Sequence, residues 1–309
     1  MYHFERFTQN KIDDLMRLFL ESDKSKVSRE KFLKKYDTSF LGVEYVGFLA
    51  YDENNNPAAF YGVIPTLALD RNGQRVLIAQ SADTITHPNH QKKGLFVTLA
   101  EMTYALAKTL NIHFLYGIPN YLSFPGFIKK LAWKQEGNLQ VFKIKTIGIP
   151  LGNLAKRLPV LNKPYQRYCH FVLKLITQNP KNAELTRRKH QFQISGDQDY
   201  FTYKSYTPKH RRRIAGCELW LSVDSYLKIG EIDGLTHKNT ASLLFKLRII
   251  GFLLGVHKIV YQCNTIHENY DSLAQHVKPQ EGLPIIFKNL SHRFDMNDFL
   301  LRYADVDTF

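Results

Sequence analysis

The most constraining feature of this chain is a strand that leads through a basic, glycine-containing loop into a helix. The apolar run 76–85 predicts a strand over 75–86, and residues 95–110 have the apolar spacing of an amphipathic helix. The loop between them contains Lys92, Lys93 and Gly94. Unpaired backbone N–H groups and the positive end of the helix dipole meet at such a helix start, which favours an anion there. Because Gly94 has no Cβ atom, we expect a phosphate group to reach the backbone at this point.

The composition is that of a folded protein with one large domain or two domains of ordinary size. The chain has 309 residues, of which 44% are hydrophobic and 13% aromatic, so disorder is not expected. Its three cysteines, Cys169, Cys217 and Cys263, match no disulfide or metal-ligand spacing and are typical of a reducing compartment. We therefore expect no metal site.

Two further features of the sequence concern its location in the cell. The first residues do not have the pattern of a signal peptide. The most apolar late segment, 241–256, is interrupted by Lys246 and Arg248, and it is too short and too charged to span a bilayer. These features predict a cytoplasmic protein without membrane insertion. The sequence leaves the oligomeric state open.

The net charge of +14 is compatible with nucleic acid, an anionic membrane face or phosphorylated small molecules as partners. The densest basic stretches are 187–190 and 209–213, and no interleaved aromatic nucleic-acid motif accompanies them. Such stretches are typical of solvated surface or linker. We therefore do not expect nucleic-acid binding.

The apolar patterns of the first half predict the element order β-α-α-β-β-β-α-β-α-β, with the last strand at 139–146. A connecting segment punctuated by prolines follows, and it contains one predicted helix at 165–176. Strand-like residues resume near Tyr200. The predicted domain organisation is 1–147, a connecting segment over 148–198, and a second domain over 199–309.

The two halves contain an internal repeat. Residues 83–87 (DTITH) have a counterpart at 233–237 (DGLTH), and residues 111–120 (NIHFLYGIPN) have one at 255–264 (GVHKIVYQCN). In the second pair a histidine and an asparagine stand seven residues apart, on either side of an apolar strand. The second copy lacks the basic, glycine-containing loop. We interpret the pattern as a structural duplication.

Residues 1–146 resemble the GNAT superfamily of N-acyltransferases in element order and in two motifs. The loop 91–96 (QKKGLF) is similar to the family's Gln/Arg-x-x-Gly-x-Gly/Ala loop, and 120–127 (NYLSFPGF) is similar to its Asn-x-x-Ala-x-x-x-Tyr helix. The resemblance implies an α+β (α/β) fold of two GNAT-like domains, each a mixed, centrally antiparallel sheet flanked by helices, with acetyl-CoA as donor. The second half resembles a degenerate copy, which is not expected to bind CoA.

The resemblance also implies roles for individual residues. Backbone amides of the loop and the helix start hold the CoA pyrophosphate, and the end of the preceding strand presents backbone groups to the pantetheine arm and the thioester carbonyl. Asn120 hydrogen-bonds the pantetheine, and two residues of the next helix pack along it. The implied CoA-binding residues are Ile85, Thr86, His87, Gln91, Lys92, Lys93, Gly94, Leu95, Phe96, Asn120, Ser123 and Phe127.

The chain departs from the family pattern at two positions. Phe96 stands where a small residue is expected, which predicts a displaced last turn of the loop. Phe127, or Ile128 in a shifted register, stands where the family often has a tyrosine that protonates the departing thiolate. A thiol has a pKa of about 8.5, so the thiolate is a tolerable leaving group without that acid.

Asp83 is the candidate catalytic residue, because it is the acidic side chain nearest the expected thioester on the same strand. A general base would take the proton of the attacking amine. The alternatives are a purely structural acceptor role for Asp83, Glu101 on the following helix, a water molecule, or a residue of the second half.

Three functions follow from these features. The first is an acetyl-CoA-dependent N-acetyltransferase that acts on the amine of a small molecule, with an amino sugar or sugar nucleotide as candidate acceptor, by direct attack in a ternary complex. The second is a CoA-binding regulatory protein without turnover. The third is a Fem-like aminoacyl-tRNA-dependent aminoacyltransferase, against which the CoA-type loop of the first half argues.

Overall fold

The computed structural model describes residues 1–24, 27–181, 191–291 and 299–309. The basic stretch noted at 187–190 therefore lies outside the described residues. The strands are β1 (His3–Arg6), β2 (Val46–Tyr51), β3 (Pro57–Leu69), β4 (Arg75–Thr86), β5 (Phe114–Gly117), β6 (Lys134–Lys145), β7 (Phe192–Ile194), β8 (His210–Ile214), β9 (Cys217–Val223), β10 (Leu227–Asp233), β11 (Lys258–Cys263), β12 (Gln280–Asn289) and β13 (Phe299–Leu300). The helices are α1 (Ile12–Asp23), α2 (Arg29–Tyr36), α3 (Leu95–Thr109), α4 (Phe124–Leu131), α5 (Leu151–Arg157), α6 (Asn162–Ile176), α7 (Gln198–Lys204), α8 (His237–Leu253) and α9 (Asn269–Ala274).

The described residues form two compact units. Unit 1 contains Met1–Gly137, β7 and the part of β12 that begins at Leu283. Unit 2 contains residues 138–181, 196–282 and 299–309. A strand late in the sequence thus belongs to unit 1, and most of β6 belongs to unit 2. The domain boundaries predicted near residues 147 and 199 stay a prediction.

The sheet of unit 1 is mixed, with an antiparallel centre. Its strand order is β1-β2-β3-β4-β5-β12, and all neighbours are antiparallel except β4 and β5, which are parallel. The predicted fold class is confirmed in this unit. The prediction placed the start of β6 at residue 139, whereas the strand begins at Lys134. The polar residues 134–138 and Gly137, with a φ of +117°, resemble a turn in sequence, which explains the error.

A long hairpin of β3 and β4 positions the loop that the sequence analysis singled out. Its turn is fixed by Asp70, whose carboxylate accepts hydrogen bonds from the amides of Asn72 at 2.9 Å and Gln74 at 2.7 Å. Gly73 has a φ of +78°, which favours glycine in this turn. The hairpin therefore extends β4 as far as Thr86, directly before the basic loop.

A bulge interrupts the pairing of β3 with β4. Tyr61 lies opposite Thr84, but Val63 lies opposite Ser81, so two residues of β4 face one residue of β3. A bulge of this kind bends the strand and turns its side chains. Asp83 lies on the bulged part of β4.

Helix α3 covers the sheet of unit 1. Leu95, Leu99, Ala100, Tyr104 and Ala107 are buried on one side of it, and the helix packs against β2, β3 and β4. Burial of this apolar face holds the N-terminus of α3 next to the end of β4.

Unit 2 repeats the central arrangement of unit 1. Its strand order is β6-β11-β10-β9-β8, and β10 and β11 are parallel while the other neighbours are antiparallel. The strand–helix–strand series β10–α8–β11 corresponds to β4–α3–β5. A register shift between Ile229 and Glu231 of β10 follows the parallel pairing, as the bulge of β4 does in unit 1. The predicted duplication is confirmed.

Candidate functional site

An opening in the sheet of unit 1 forms the centre of the candidate site. The parallel strands β4 and β5 pair only over Ala79–Leu115, Gln80–Tyr116 and Ser81–Gly117. Beyond Ser81, β4 continues with its bulge to Thr86, while β5 ends at Gly117. The end of β4 therefore borders an opening toward the residues that follow β5.

The loop between β4 and α3 is held in place by contacts at both of its histidines. The amide of His87 donates to the Ala58 carbonyl at 2.9 Å, and the ring Nδ1 of His87 accepts from the Asn89 amide at 3.3 Å. The ring Nδ1 of His90 lies 2.7 Å from the Tyr2 hydroxyl. Burial lowers the pKa of His90, and nearby Lys93 lowers it further. The first half of the loop is thus anchored to β3 and to Tyr2, which directly precedes β1.

The second half of the loop presents backbone donors. Lys92 has a φ of +62° and Gly94 one of +81°, and Gly94 is the N-cap of α3 without a side-chain cap. Within the described part of the chain, the amides of residues 92–96 donate no hydrogen bond, whereas those of Val97 and Thr98 donate to the Gly94 carbonyl at 3.0 and 3.2 Å. Successive unpaired amides of this kind form an anion-binding concavity.

The space around Gly94 is free for a ligand. A Cβ atom built at this position meets no atom within 4 Å, and Lys92 and Lys93 are exposed on the same loop. An anion at the amides of 92–96 would therefore be reached by two flexible ammonium groups. The loop fits the pyrophosphate of CoA in charge and in backbone chemistry.

Asn120 lies beyond the end of β5 and organises the turn into α4. Its Oδ1 atom accepts hydrogen bonds from the amides of Leu122 and Ser123, both at 3.0 Å, and from the Ser123 hydroxyl at 3.1 Å. No hydrogen bond joins its Nδ2 group to another described residue. The amide group of Asn120 is thus oriented by its oxygen, and its N–H donors are left for a ligand.

The two phenylalanines of the implied set belong to an aromatic cluster. The Phe96 and Phe127 rings are T-shaped at 5.3 Å, and Phe127 lies 5.0 Å from Trp133. A Cβ atom on Gly126 would lie 3.0 Å from the Phe96 ring, so this glycine lets α4 approach α3. Gly94 caps α3, and Phe96 lies in the first turn of a regular helix. Phe127 is buried, so its ring supports the site from the core side.

A chain of buried hydroxyl groups lies beneath the opening. The Tyr61 hydroxyl is 2.9 Å from Ser81 Oγ and 3.2 Å from the Tyr104 hydroxyl, to which Trp133 Nε1 donates at 2.8 Å. Burial raises the pKa of Tyr61 well above its usual value and raises that of Tyr104 to about 12. These tyrosines therefore stay protonated and tie β3, β4 and α3 together.

Asp83 contacts helix α2. Its carboxylate oxygens each lie 2.9 Å from Lys35 Nζ, and the Tyr36 hydroxyl donates to one of them at 2.7 Å. Both partners of the ion pair are largely buried. The other acidic residue considered from the sequence, Glu101, is exposed on α3. The observed contacts of Asp83 are those of a structural acceptor.

Three residues at the site had no role in the sequence analysis. Tyr2 and Lys35 lie 88 and 48 positions from their partners, and no local pattern indicates such contacts. Tyr121 follows Asn120 and is 78% exposed at the end of β5. The one local signal was the position of Tyr121 directly after Asn120.

The equivalent region of unit 2 is closed. Helix α8 begins with a capping box, in which the Asn239 side chain accepts from the Thr236 amide at 2.8 Å and the Thr236 side chain accepts from the Asn239 amide. Asn264, the counterpart of Asn120, donates to the Phe299 carbonyl at 2.7 Å and accepts from the Leu301 amide at 3.3 Å. A Cβ atom on Gly230 would lie 2.4 Å from the Phe309 ring. In unit 2, residues 299–309 thus occupy the position that corresponds to the opening beside β4 in unit 1.

The known proteins similar to this chain were found among solved structures. No family model matches the sequence, and no curated protein matches it. A probable N-acyltransferase from Enterococcus faecalis V583 has a TM-score of 0.60 at 11% identity, over 94% of this chain and 73% of that one. A tandem GNAT protein from the clavulanic acid biosynthesis pathway has a TM-score of 0.51 at 9% identity, over 94% and 99%. The chain has a tandem GNAT fold.

A third solved structure extends the comparison of the GNAT fold. The N-myristoyltransferase of Saccharomyces cerevisiae, solved with bound myristoyl-CoA, has a TM-score of 0.55 at 10% identity, over 99% of this chain and 84% of that chain. The described residues contain no cluster of three or more His, Cys, Asp or Glu side chains suited to a metal ion. They also contain no helix that is both long and apolar enough to cross a bilayer.

Proposed function

We propose that this protein is an acetyl-CoA-dependent N-acetyltransferase that acts on the amine of a small molecule. The observation that supports this most is the row of unpartnered amides at residues 92–96, beside an opening at the end of β4. The tandem GNAT fold is consistent with an acyltransferase. Acetyl-CoA as the donor and a small amine as the acceptor are proposed in addition. An amino sugar or a sugar nucleotide is the proposed acceptor class, and the reaction is direct attack in a ternary complex.

The residues of the loop fit the diphosphate part of CoA. The amides of 92–96 would hold the pyrophosphate, and Lys92 and Lys93 would neutralise its charge. Each charge-assisted hydrogen bond of this kind contributes about 1.5–3 kcal/mol. Gln91 opens this loop, and Leu95 and Phe96 begin the helix whose dipole favours the anion.

The residues beside the opening fit the pantetheine arm. The backbone of Ile85, Thr86 and His87 borders the opening, and Asn120 offers its Nδ2 donors from the other side. Unit 2 supports this assignment by analogy, because Asn264 binds the extended backbone of residues 299–301 through both atoms of its amide. An arm that contains amide groups would make similar bonds with Asn120.

The chemistry requires an activated acyl group, a neutral amine and a route for one proton. Acetyl-CoA, when bound, supplies the acyl group as a thioester. Backbone groups of β4 beyond Ser81 orient the reacting carbonyl, because this edge of the strand does not pair with β5. The carboxylate of Asp83 is held by Lys35 and Tyr36, so we assign it to positioning the bulge of β4 and assign the amine proton to solvent.

One observation favours a second function. Phe127 stands where a tyrosine acid is expected, and its ring is buried against Trp133. A protein that binds CoA and transfers no acyl group would need no such acid. Both functions require CoA binding by the loop at residues 91–96, and they differ only in whether an acyl group is transferred.

Calorimetric titration with CoA tests the shared part of the proposal. Lys92→Gln together with Lys93→Gln should weaken CoA binding by at least about a hundredfold. Lys129→Gln with Lys130→Gln, on the exposed last turn of α4, is the matched control and should bind as the unmodified protein does. Equal affinities for all three proteins would refute the loop assignment.

Labelled acetyl-CoA with a panel of amino sugars, sugar nucleotides and small amines tests turnover. Transfer of the label to any of these amines supports the enzyme. Binding of CoA without transfer to any amine supports the regulatory function instead. Transfer that requires aminoacyl-tRNA would overturn both.

A further inference from the structure

Helices α6 and α8 of unit 2 carry large apolar side chains on their outer faces as well as on their buried faces. On α8, Leu243, Leu247 and Ile250 are buried, whereas Phe245 and Phe252 are 63% and 58% exposed. Ile249 is exposed between these two phenylalanines. The exposed residues recur at intervals of three and four positions, so they share one face of the helix.

The outer face of α6 has the same character. Tyr168, Phe171 and Leu175 recur at the same helical spacing and are all exposed. The two helices lie side by side, because the Tyr168 hydroxyl donates to the Leu253 carbonyl at 2.6 Å. A groove of about 520 Å³ is lined by residues of both, including Ile176 and Ile249.

We name these two outer faces, together with the exposed Ile147 and Ile149, the apolar–basic face. Gly148, which lies between Ile147 and Ile149, packs closely against α8. A Cβ atom on this glycine would lie 3.3 Å from the Phe252 carbonyl oxygen. Single exposed apolar residues are common on proteins, but a contiguous group of large ones marks a surface that binds something.

The charges around this face have one sign. Residues 137–181 and 234–267 contain lysine and arginine but neither aspartate nor glutamate. On a helix with 100° per residue, Lys246 and Arg248 flank the apolar strip of α8 on opposite sides, and Arg167 and Lys174 lie beside that of α6. Two acidic residues at the ends of β9 are engaged elsewhere. Glu218 accepts from the Lys181 amide at 2.8 Å, and Asp224 lies 3.1 Å from Lys228.

We propose that the apolar–basic face docks on an anionic lipid bilayer. Aromatic and aliphatic side chains at the centre would enter the headgroup region, while the flanking ammonium and guanidinium groups reach the lipid phosphates. A second copy of this chain fits less well, because pairing the same face would bring like charges together. Docking differs from spanning, and no described helix is long and apolar enough to span.

Vesicle sedimentation of the 309-residue protein tests this proposal. With phosphatidylcholine vesicles that contain about 30% phosphatidylglycerol, we expect partitioning at least about tenfold above that with pure phosphatidylcholine, falling at high salt. Phe245→Ser with Phe252→Ser should reduce it at least about tenfold, and so should Lys246→Glu with Arg248→Glu.

The matched control is Leu20→Ser with Phe40→Ser, which removes two exposed apolar residues of unit 1. It should bind vesicles as the unmodified protein does. All three double variants change exposed positions, so thermal melts should coincide with the unmodified protein's. No binding to anionic vesicles, equal binding to neutral ones, or full binding by both face variants would overturn the proposal. The proposal would also be overturned if the apolar–basic face were found to mediate self-association or to bind an acidic protein instead of lipid.

Discussion

Lys35 and Asp83 form an ion pair that fastens α2 to the bulge of β4, with Nζ at 2.9 Å from each carboxylate oxygen. The pair is largely shielded from solvent, and Tyr36 adds a hydroxyl donor at 2.7 Å. Three side chains thereby set the path of the strand that borders the candidate site.

We expect Asp83→Asn and Lys35→Met to act alike. Each leaves the charge of a largely buried partner uncompensated, so the free energy of unfolding should fall by about 1–3 kcal/mol. If Asp83 positions the strand, both variants should also lower kcat/KM by similar factors without moving the pH profile. Urea melts and pH–rate profiles measure this. Loss of the acidic limb of the pH–rate profile in Asp83→Asn alone would identify Asp83 as the general base.

Gly94→Asp should abolish the anion site. The substitution places a carboxylate and a Cβ atom at a backbone with a φ of +81°, next to the unpaired amides. We expect CoA binding to weaken by more than about tenfold, measured by calorimetry. Gly94→Ala separates backbone strain from charge and should weaken binding less.

Gly73→Asp is the matched control for this glycine, because Gly73 has a φ of +78° in the β3–β4 turn. It should cost stability without changing the affinity for CoA. Equal effects of the two aspartate substitutions on CoA affinity would contradict the assignment of the loop.

We expect Asn120→Asp to weaken CoA binding and Asn264→Asp to lower stability. An aspartate at 120 keeps the acceptor that caps the turn and loses the Nδ2 donors, so CoA binding should weaken several-fold at nearly unchanged stability. At 264 the lost donor is already bonded to the Phe299 carbonyl, so this variant should be less stable and bind CoA normally. Thermal melts and CoA titrations of both variants check this, and a CoA defect in Asn264→Asp would speak against it.

His210 should make the protein sensitive to acid. Burial, followed by nearby His170 and Arg212, lowers its pKa to about 4 from an ordinary 6.5. Because the folded state binds this proton less tightly than the unfolded state, stability is full above pH 6.5 and is lost as pH falls toward 4, by about 3 kcal/mol. The slope of unfolding free energy against pH measures this loss.

His210→Leu removes the titrating ring and is the comparison for that slope. The difference in unfolding free energy between the two proteins should change between pH 6.5 and 4 and stay constant above pH 7. A parallel pH dependence in both proteins would show that other groups cause the acid sensitivity.

The sequence predicted the features that rest on neighbouring residues. The strand at 75–86, the loop with Gly94 and the helix from Leu95 are local patterns, and all three are present in the structure. Ser28 precedes α2 and caps it, because its hydroxyl accepts from the Lys31 amide at 3.3 Å. Propensity, capping and apolar spacing act within a few residues, so one sequence contains the signal.

Features that join distant residues were missed. The contact of Tyr2 with His90 and the packing of Phe309 against Gly230 depend on tertiary structure and have no local pattern. Helix α5 was also missed, because seven residues between prolines carry little periodicity. The roles assigned to the twelve CoA-binding residues and to Asp83 stay predictions.

The pairing of β12 with β5 has a consequence for truncation of the chain. Ile286 and Phe287 lie opposite Gly117 and Tyr116, so a segment encoded near the end of the sequence completes the sheet begun by the first half. In return, most of β6 pairs with β11 in unit 2. A fragment that ends at residue 137 would therefore lack β12 and would leave the backbone N–H and C=O groups of β5 unpaired along that edge.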